Sequence, residues 1–262
     1  MPADSTVPAA TRLYHRLIAL PMVLLGMVPR RSRSLRYLPR YLDDRAAFLR
    51  AGGRIAHRFP ILEDYAEQAG TARGHYFHQD LLVATFIQQA QPQRHIDVGS
   101  RIDGFVAHLA AFRPVEVIDI RPLAIAGHER IRFIQGNLMA PDPALRESCD
   151  SLSCLHAIEH FGLGRYGDPI DPSGHLTGFQ NLVAMLRPGG TLYISFPIGE
   201  SAVHFNAHRV FAPTEVLDWA RGALELQRFD YVDDAGELHL EQTPERIDVP
   251  HYGCGIYTFR KS

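Results

Sequence analysis

The chain has 262 residues, of which 46% are hydrophobic and 21% charged. That composition belongs to folded globular proteins and excludes a disordered tail or a disulfide-stapled miniature; one large domain, alone or with an appendage, is expected at this length. Its 27 basic and 29 acidic residues leave a formal charge of −2, so net charge does not hold it to nucleic acid.

The sum is unevenly divided. The first sixty residues hold eleven Arg against three Asp, a net charge of +8, and the rest of the chain carries −10. The N-terminal part therefore suits an anionic contact. Residues 1–59 read as helices and connections, a basic and apolar extension ahead of a domain at 60–262. Leu17–Val28 is the longest apolar run; Pro21 and Gly26 interrupt it, Arg12 and Arg16 precede it, and it is too short to span a bilayer unaided. Three readings stay open for it. It is a helix packed on the protein, a helix lying on the inner membrane face with Arg30, Arg31, Arg33, Arg36 and Arg40 near anionic headgroups, or the core of a signal peptide or a disordered tail. The second makes residues 12–40 a peripheral membrane contact. No A-x-A-like cleavage site follows the run. Cys149, Cys154 and Cys254 cannot pair completely and lack zinc-site spacing, which implies a reducing, cytoplasmic compartment.

From Pro60 onward, β-branched runs alternate with helical patterns, as in a doubly wound α/β sheet. The pattern predicts a helix over 74–89, a strand at 95–98, a helix at 104–112 and a strand at 115–119. Further strands fall near 132–134, 151–155 and 191–197. A helix over 176–186 is stopped by Pro188-Gly189-Gly190. The stretch 224–259 reads as antiparallel strands with a turn at Asp234-Ala235-Gly236, seven strands in all.

The first strand of RHIDVGSRIDGFVAHLA ends in Asp97, turns through Gly99 and Ser100, and enters a helix near Gly104. A glycine at such a turn lets the backbone approach a ligand, and the helix start offers free N–H groups. Asp119 follows Gly99 by twenty residues, at the tip of the second strand, where a carboxylate accepts hydrogen bonds from two ribose hydroxyls. The alternative is a tight turn without a ligand.

Two later segments, IRFIQGNL and CDSLSCLHAIEHF, followed by LRPGGTLYISFP, give the series an order and spacing that resembles the class I S-adenosylmethionine-dependent methyltransferase superfamily over about residues 75–260. The strings GHYFHQDLLVA, DVGSRIDGFVAHLA, SCLHAIEHFGLGRYGDPIDPSGH and FNAHRVF more specifically resemble the family catalogued as domain of unknown function number 268. The resemblance implies a doubly wound, mostly parallel seven-stranded sheet with a C-terminal antiparallel hairpin, and S-adenosylmethionine as cofactor. It implies a cofactor site at Asp97, Gly99, Ser100, Arg101, Asp103, Gly104, Asp119, Ile120, Asn137, Leu138 and His156. The superfamily's turn is D-x-G-x-G-x-G. Here Arg101 takes the middle glycine's place, an extra residue precedes Gly104, and Asn137 stands where an acid is often found.

In an open α/β sheet the ligand lies outside the carboxyl ends of the strands. The loops after strands four and five and the helix start before strand one bring His75, Tyr76, His78, Asp80, His156, Glu159, His160, Asp168, Asp171, His175, His204, Asn206 and His208 toward one crevice. Methyl transfer to oxygen or nitrogen requires a base at the acceptor. His160 is the candidate, with Glu159 orienting it; the alternative is that the pair caps a short helix. Arg165, Tyr166 and Asp168 suit the clasp of a sugar, or Asp168 and Asp171 form turns before proline. His78, Asn206 and His208 complete the candidate acceptor contacts, with a purely structural lid as the alternative for 204–208. No metal site is expected, because H-E-x-x-H is absent and His156 and His160 bracket a strand-to-helix transition.

The expected function is a cytoplasmic S-adenosylmethionine-dependent methyltransferase for a small polar acceptor, a sugar or lipid-linked glycan of surface-polysaccharide synthesis. A methyltransferase-like scaffold of an envelope-glycan assembly that has lost transfer is the alternative. A nicotinamide-dependent oxidoreductase would need a G-x-G-x-x-G turn that is absent.

Overall fold

The computed structural model describes residues 34–124, 128–140 and 142–262. The run Leu17–Val28 and the basic residues up to Arg33 lie outside the described residues. Two compact units meet between Thr71 and Ala72, later than the boundary at 59–60 read from the sequence, because 60–71 contributes only the 3-10 turn Glu63–Ala66 and no strand. In the first unit, helix α1 (Leu38–Arg50) starts with Pro39 in its first turn and buries none of its residues. Tyr65 donates to Asp44 at 2.8 Å. No helix among the described residues is long and apolar enough to cross a membrane.

The second unit is an eight-stranded sheet. Its strands are β1 (His95–Val98), β2 (Val115–Asp119), β3 (Ile131–Gln135), β4 (Cys149–Leu155), β5 (Leu186–Ile198), β8 (Leu224–Val232), β9 (Leu238–His239) and β10 (Gly253–Lys261), in the spatial order β3-β2-β1-β4-β5-β10-β8-β9. Strands β1 to β5 are parallel, and β10 runs antiparallel between β5 and β8. Two faces of apolar strand must both be covered in such a sheet. One core packs Ile96, Leu152, Ile194 and Phe196 against Phe179 and Leu182 of helix α4 (Gly174–Met185). The other packs Val115, Val117 and Ile256 against Val83, Ile87 and Leu109 of helices α2 (His75–Ala90) and α3 (Ala107–Ala110).

The doubly wound, mostly parallel sheet with antiparallel C-terminal strands is as expected, with four differences. The two-residue β9 adds an eighth strand to the seven. The helix expected at 104–112 opens as a π turn at Ile102–Val106 around Gly104, whose φ of −122° and ψ of −109° are not helical, and only then becomes α3. Pro188-Gly189-Gly190 does not separate helix from strand. It bulges within β5, whose pairing jumps from Cys149↔Leu186 to Ser151↔Thr191, and Gly189 takes the left-handed φ of +73° that the bulge demands. A small hairpin, β6 (Ala202–His204) with β7 (His208–Val210), and helix α5 (Glu215–Ala220) were not anticipated. The turn at 234–236 is present; Asp233 accepts the amides of Ala235 and Glu237 at 2.9 and 3.0 Å.

Candidate functional site

At the end of β1 the chain turns through Gly99, whose φ of +73° favours glycine. A Cβ there would also meet Ala157 Cβ at 2.8 Å. Asp97 and Ser100 build the turn from the inside. Asp97 is fully buried and accepts the Ser100 amide at 3.1 Å and the hydroxyls of Ser100 and Ser153. Burial pushes its carboxyl up to about 6, against the lowering effect of those donors. Asp97 and Ser100 thus support the turn from within. Gly104 is likewise internal; a Cβ would meet Asp80 at 3.0 Å. Asp103 is exposed and pairs with Arg101 at 3.0 Å. Arg101 stands clear of the turn, its guanidinium 5.7 Å from the Tyr76 ring.

The tips of β2 and β3 frame a narrow hollow of about 60 Å³ with Gly99, Asp119, Ile120, Asn137 and Leu138 in its walls. Asp119 accepts both the amide of Arg121 (2.8 Å) and its guanidinium, which in turn lies 4.6 Å over the Tyr166 ring. Asn137 is occupied by the Met139 amide at 2.9 Å. Arg121, His156, His160 and Tyr166 also line a wider, more polar hollow of about 520 Å³ that includes His75, Arg101, Glu159, Arg165, His208 and Tyr252.

The chemistry gathers after β4. His156 takes a left-handed φ of +49°, a conformation costly for a side chain with a Cβ and held here by its amide bond to the Ser195 carbonyl at 2.9 Å. Its Nδ1 meets Glu159 Oε1 at 2.9 Å, while its Nε2 and Glu159 Oε2 are buried with no hydrogen-bond partner. Burial opposes protonation of His156, but Cys254 and Glu159 beside it raise its pKa overall. His160 Nδ1 lies 2.7 Å from the Ala207 carbonyl. A carbonyl only accepts, so Nδ1 carries the proton and Nε2 of the neutral ring is bare. Burial holds the His160 pKa down despite Glu159, whose carboxylate stands 3.7 Å from Nε2.

The other expected acceptor contacts divide. Arg165, which donates to Ala207 at 2.8 Å, Tyr166 and His208 line the wide hollow. Asp168 is spent on its own loop, accepting the amides of Gly162, Gly164 and Tyr166 at 2.8, 3.0 and 3.1 Å. Asn206 is exposed at the hairpin tip with a φ of +62°. His78 lines neither hollow; its Nε2 is buried and its ring meets Phe77 edge-on, while His75, one turn earlier, faces the cleft. Three residues escaped the sequence reading. Arg121 follows Asp119, Tyr252 stacks on His75 at 5.5 Å, and buried Arg209 donates to the carbonyls of Glu159, Phe161 and Pro172 at 3.3, 2.6 and 3.1 Å. Only Arg209 left a trace, as a charge within the apolar end of FNAHRVF.

Residues 130–242 match the model of a family described as Caenorhabditis protein of unknown function, DUF268. No curated protein sequence matches the chain. Among solved structures, the N-methyltransferase NodS from Bradyrhizobium japonicum WM9, in complex with S-adenosyl-l-homocysteine, is similar with 17% identity and a TM-score of 0.50, over 72% of this chain and 88% of that one. The Burkholderia thailandensis 1,6-didemethyltoxoflavin-N1-methyltransferase is 16% identical with a TM-score of 0.50, over 100% of this chain and 94% of that one. The cyclase SpnF is 14% identical with a TM-score of 0.54, over 80% and 90% of the two chains. Such identities establish a shared architecture, and the chain is thus a class I methyltransferase fold whose residues 130–242 carry the DUF268 family match.

Proposed function

We propose that the chain is an S-adenosylmethionine-dependent methyltransferase acting on a small polar acceptor in the cytoplasm, a sugar or lipid-linked glycan of surface-polysaccharide synthesis. One observation carries this reading. The ribose-type acid Asp119, with Ile120, Asn137 and Leu138, walls a narrow hollow that shares His156, His160 and Tyr166 with a wider polar one. Two similar structures are methyltransferases with S-adenosylhomocysteine bound.

The residues suit that cofactor. Gly99 gives the backbone approach, Asp119 the hydroxyl acceptor, Ile120 and Leu138 apolar walls for a purine. The cofactor, when bound, supplies an electrophilic methyl group. Arg121 occupies Asp119 in this structure, but its side chain is 46% exposed. The Asp119 carboxylate is 11% exposed and the pair is bidentate, so a ribose has to take the place of a well-formed ion pair, with the exposed Arg121 side chain swinging outward. His160 then takes the acceptor's proton on Nε2, Glu159 fixes the His156 ring through its Nδ1 and stands 3.7 Å from the His160 Nε2 that gains the charge, and Arg165, Tyr166 and His208 hold the acceptor. The polar and aromatic character of that hollow supports a sugar.

Calorimetry with S-adenosylhomocysteine tests the reading. Wild-type protein should bind, and Asp119→Ala should weaken binding roughly 10- to 100-fold, as loss of charge-assisted hydrogen bonds worth ~1.5–3 kcal/mol requires. His160→Gln should leave that affinity unchanged and lower kcat by about 10²- to 10⁴-fold. Absence of binding by the wild-type protein refutes the proposal. The occupied Asp119 favours one second reading, a methyltransferase-like scaffold of an envelope-glycan assembly. Cofactor-free protein that binds a glycan acceptor tightly and leaves it unmodified would establish it.

A further inference from the structure

His75, His156 and Cys254 come from α2, the end of β4 and β10, and each offers one donor atom to a common point. Those atoms lie within 4.8 Å of one another. Around a tetrahedral zinc ion, bonds of ~2.0–2.1 Å to nitrogen and ~2.3 Å to sulfur put donor atoms roughly 3.3–3.7 Å apart. Side-chain adjustments of about 1 Å close that gap, and the ligand types, two imidazoles and a thiolate, suit zinc better than magnesium or calcium.

The surroundings have the form of a built site. The His156 side chain is only 5% exposed, and its Nε2 is buried without a partner, so an atom that normally makes a bond is left aimed at the cluster. Its other nitrogen is held at 2.9 Å by Glu159, a carboxylate 1% exposed that stands between His156 and His160. A carboxylate that orients the far nitrogen of an imidazole is the usual outer support of a histidine ligand. His75 is sandwiched between the His156 ring at 5.3 Å and the Tyr252 ring at 5.5 Å, which fixes its plane. Cys254 is fully buried, its sulfur 3.7 Å from Gln79 Oε1 and beside His156. The backbone strain at His156 falls on one of the three converging residues.

We propose that His75, His156 and Cys254 bind a zinc ion, with Glu159 as the positioning residue behind His156. Two of the three, His75 and His156, also line the wide hollow, and three protein ligands leave a fourth position free. On the methyl-transfer reading of the site, a zinc ion held by these residues would supply Lewis acidity toward a bound hydroxyl or water, while His160 keeps its role as base. Zinc binding itself does not depend on methyl transfer.

The full chain, stripped with chelator, would be titrated with zinc and with cobalt as a spectroscopic substitute. One equivalent of zinc should bind, and cobalt should give a thiolate-to-metal charge-transfer band together with the d–d spectrum of a four-coordinate ion. Cys254→Ser should abolish the charge-transfer band. His75→Gln, at a half-buried helix start, should weaken zinc binding at least 100-fold while circular dichroism stays unchanged. Glu159→Gln should weaken it about 10- to 100-fold. The inference is overturned if wild-type protein gives no thiolate band, or if the zinc equivalent survives in both Cys254→Ser and His75→Gln. Either result leaves S-adenosylhomocysteine binding to be judged separately by calorimetry.

Discussion

Asp97 shows how much a single side chain can hide from a sequence. An acid closing the first strand reads as a ligand contact, yet it is fully buried among Ser100, Ser153 and, through Ser153, the neutral ring of His95. Its pKa of about 6 stands above the unfolded value of about 3.9. The folded protein therefore keeps a proton that the unfolded chain has lost between those pH values. The resulting stability is complete below about pH 4 and lost as pH rises through about 6, roughly 3 kcal/mol in all. His95, pushed down to about 3 by its burial, acts with the opposite sign, its contribution present at neutral pH and lost as pH falls. Comparison with Asp97→Asn isolates the carboxyl. Urea unfolding from pH 4 to 7 should show the variant gaining about 3 kcal/mol relative to wild type across that range. Parallel profiles would mean that Asp97 stays ionised in the fold.

At the scale of elements, the loop after β4 is shaped less by its glycines than by one strand packed against it. Arg209 on β7 is 4% exposed and spends its guanidinium on carbonyls of that loop and of Pro172. Arg209→Met keeps the volume but leaves several buried carbonyls without donors, each costing ~1–3 kcal/mol. A loss of about 2–4 kcal/mol, some 5–15 °C in Tm for a domain of this size, should appear by calorimetry. Arg209→Lys should not restore it, since one ammonium cannot reach carbonyls that the planar fork spans. A change below about 1 kcal/mol would show that Asp168 alone organises the loop. The sequence made the long elements legible because their periodicity extends over many residues, as in α2 and β4. The six-residue α5 and the three-residue strands β6 and β7 are too short for any period to emerge. The position of Asp119 at the tip of β2 was legible because strand and turn are contiguous. The His75, His156 and Cys254 cluster was not, because it exists only once α2, β4 and β10 are packed together.

At the scale of the whole molecule, the near-zero charge is a sum over two surfaces. Seven Arg and a single acid fall in residues 1–40, whereas the later part of the chain is acidic. The first described helix adds an apolar contribution: Leu38, Leu42 and Leu49 recur on one face and are 40%, 49% and 41% exposed, and Arg45 lies between them. An apolar stripe beside clustered Arg is the composition of a helix that lies on an anionic bilayer, and each cation near such a surface contributes about 1 kcal/mol. We propose this contact, through residues 12–40, as the means by which the protein meets a lipid-linked acceptor. Full-length protein should cosediment with vesicles containing phosphatidylglycerol at low ionic strength and dissociate as salt shortens the reach of the charges. Removal of residues 1–40 should abolish cosedimentation and leave S-adenosylhomocysteine affinity within about twofold, a change of less than ~0.5 kcal/mol. Cosedimentation that persists after the deletion would overturn the assignment to residues 12–40 and leave the contact to the remaining face of α1, Leu42 and Leu49. Loss of vesicle and cofactor binding together would mean that these residues complete the fold of the domain and do not serve as its tether.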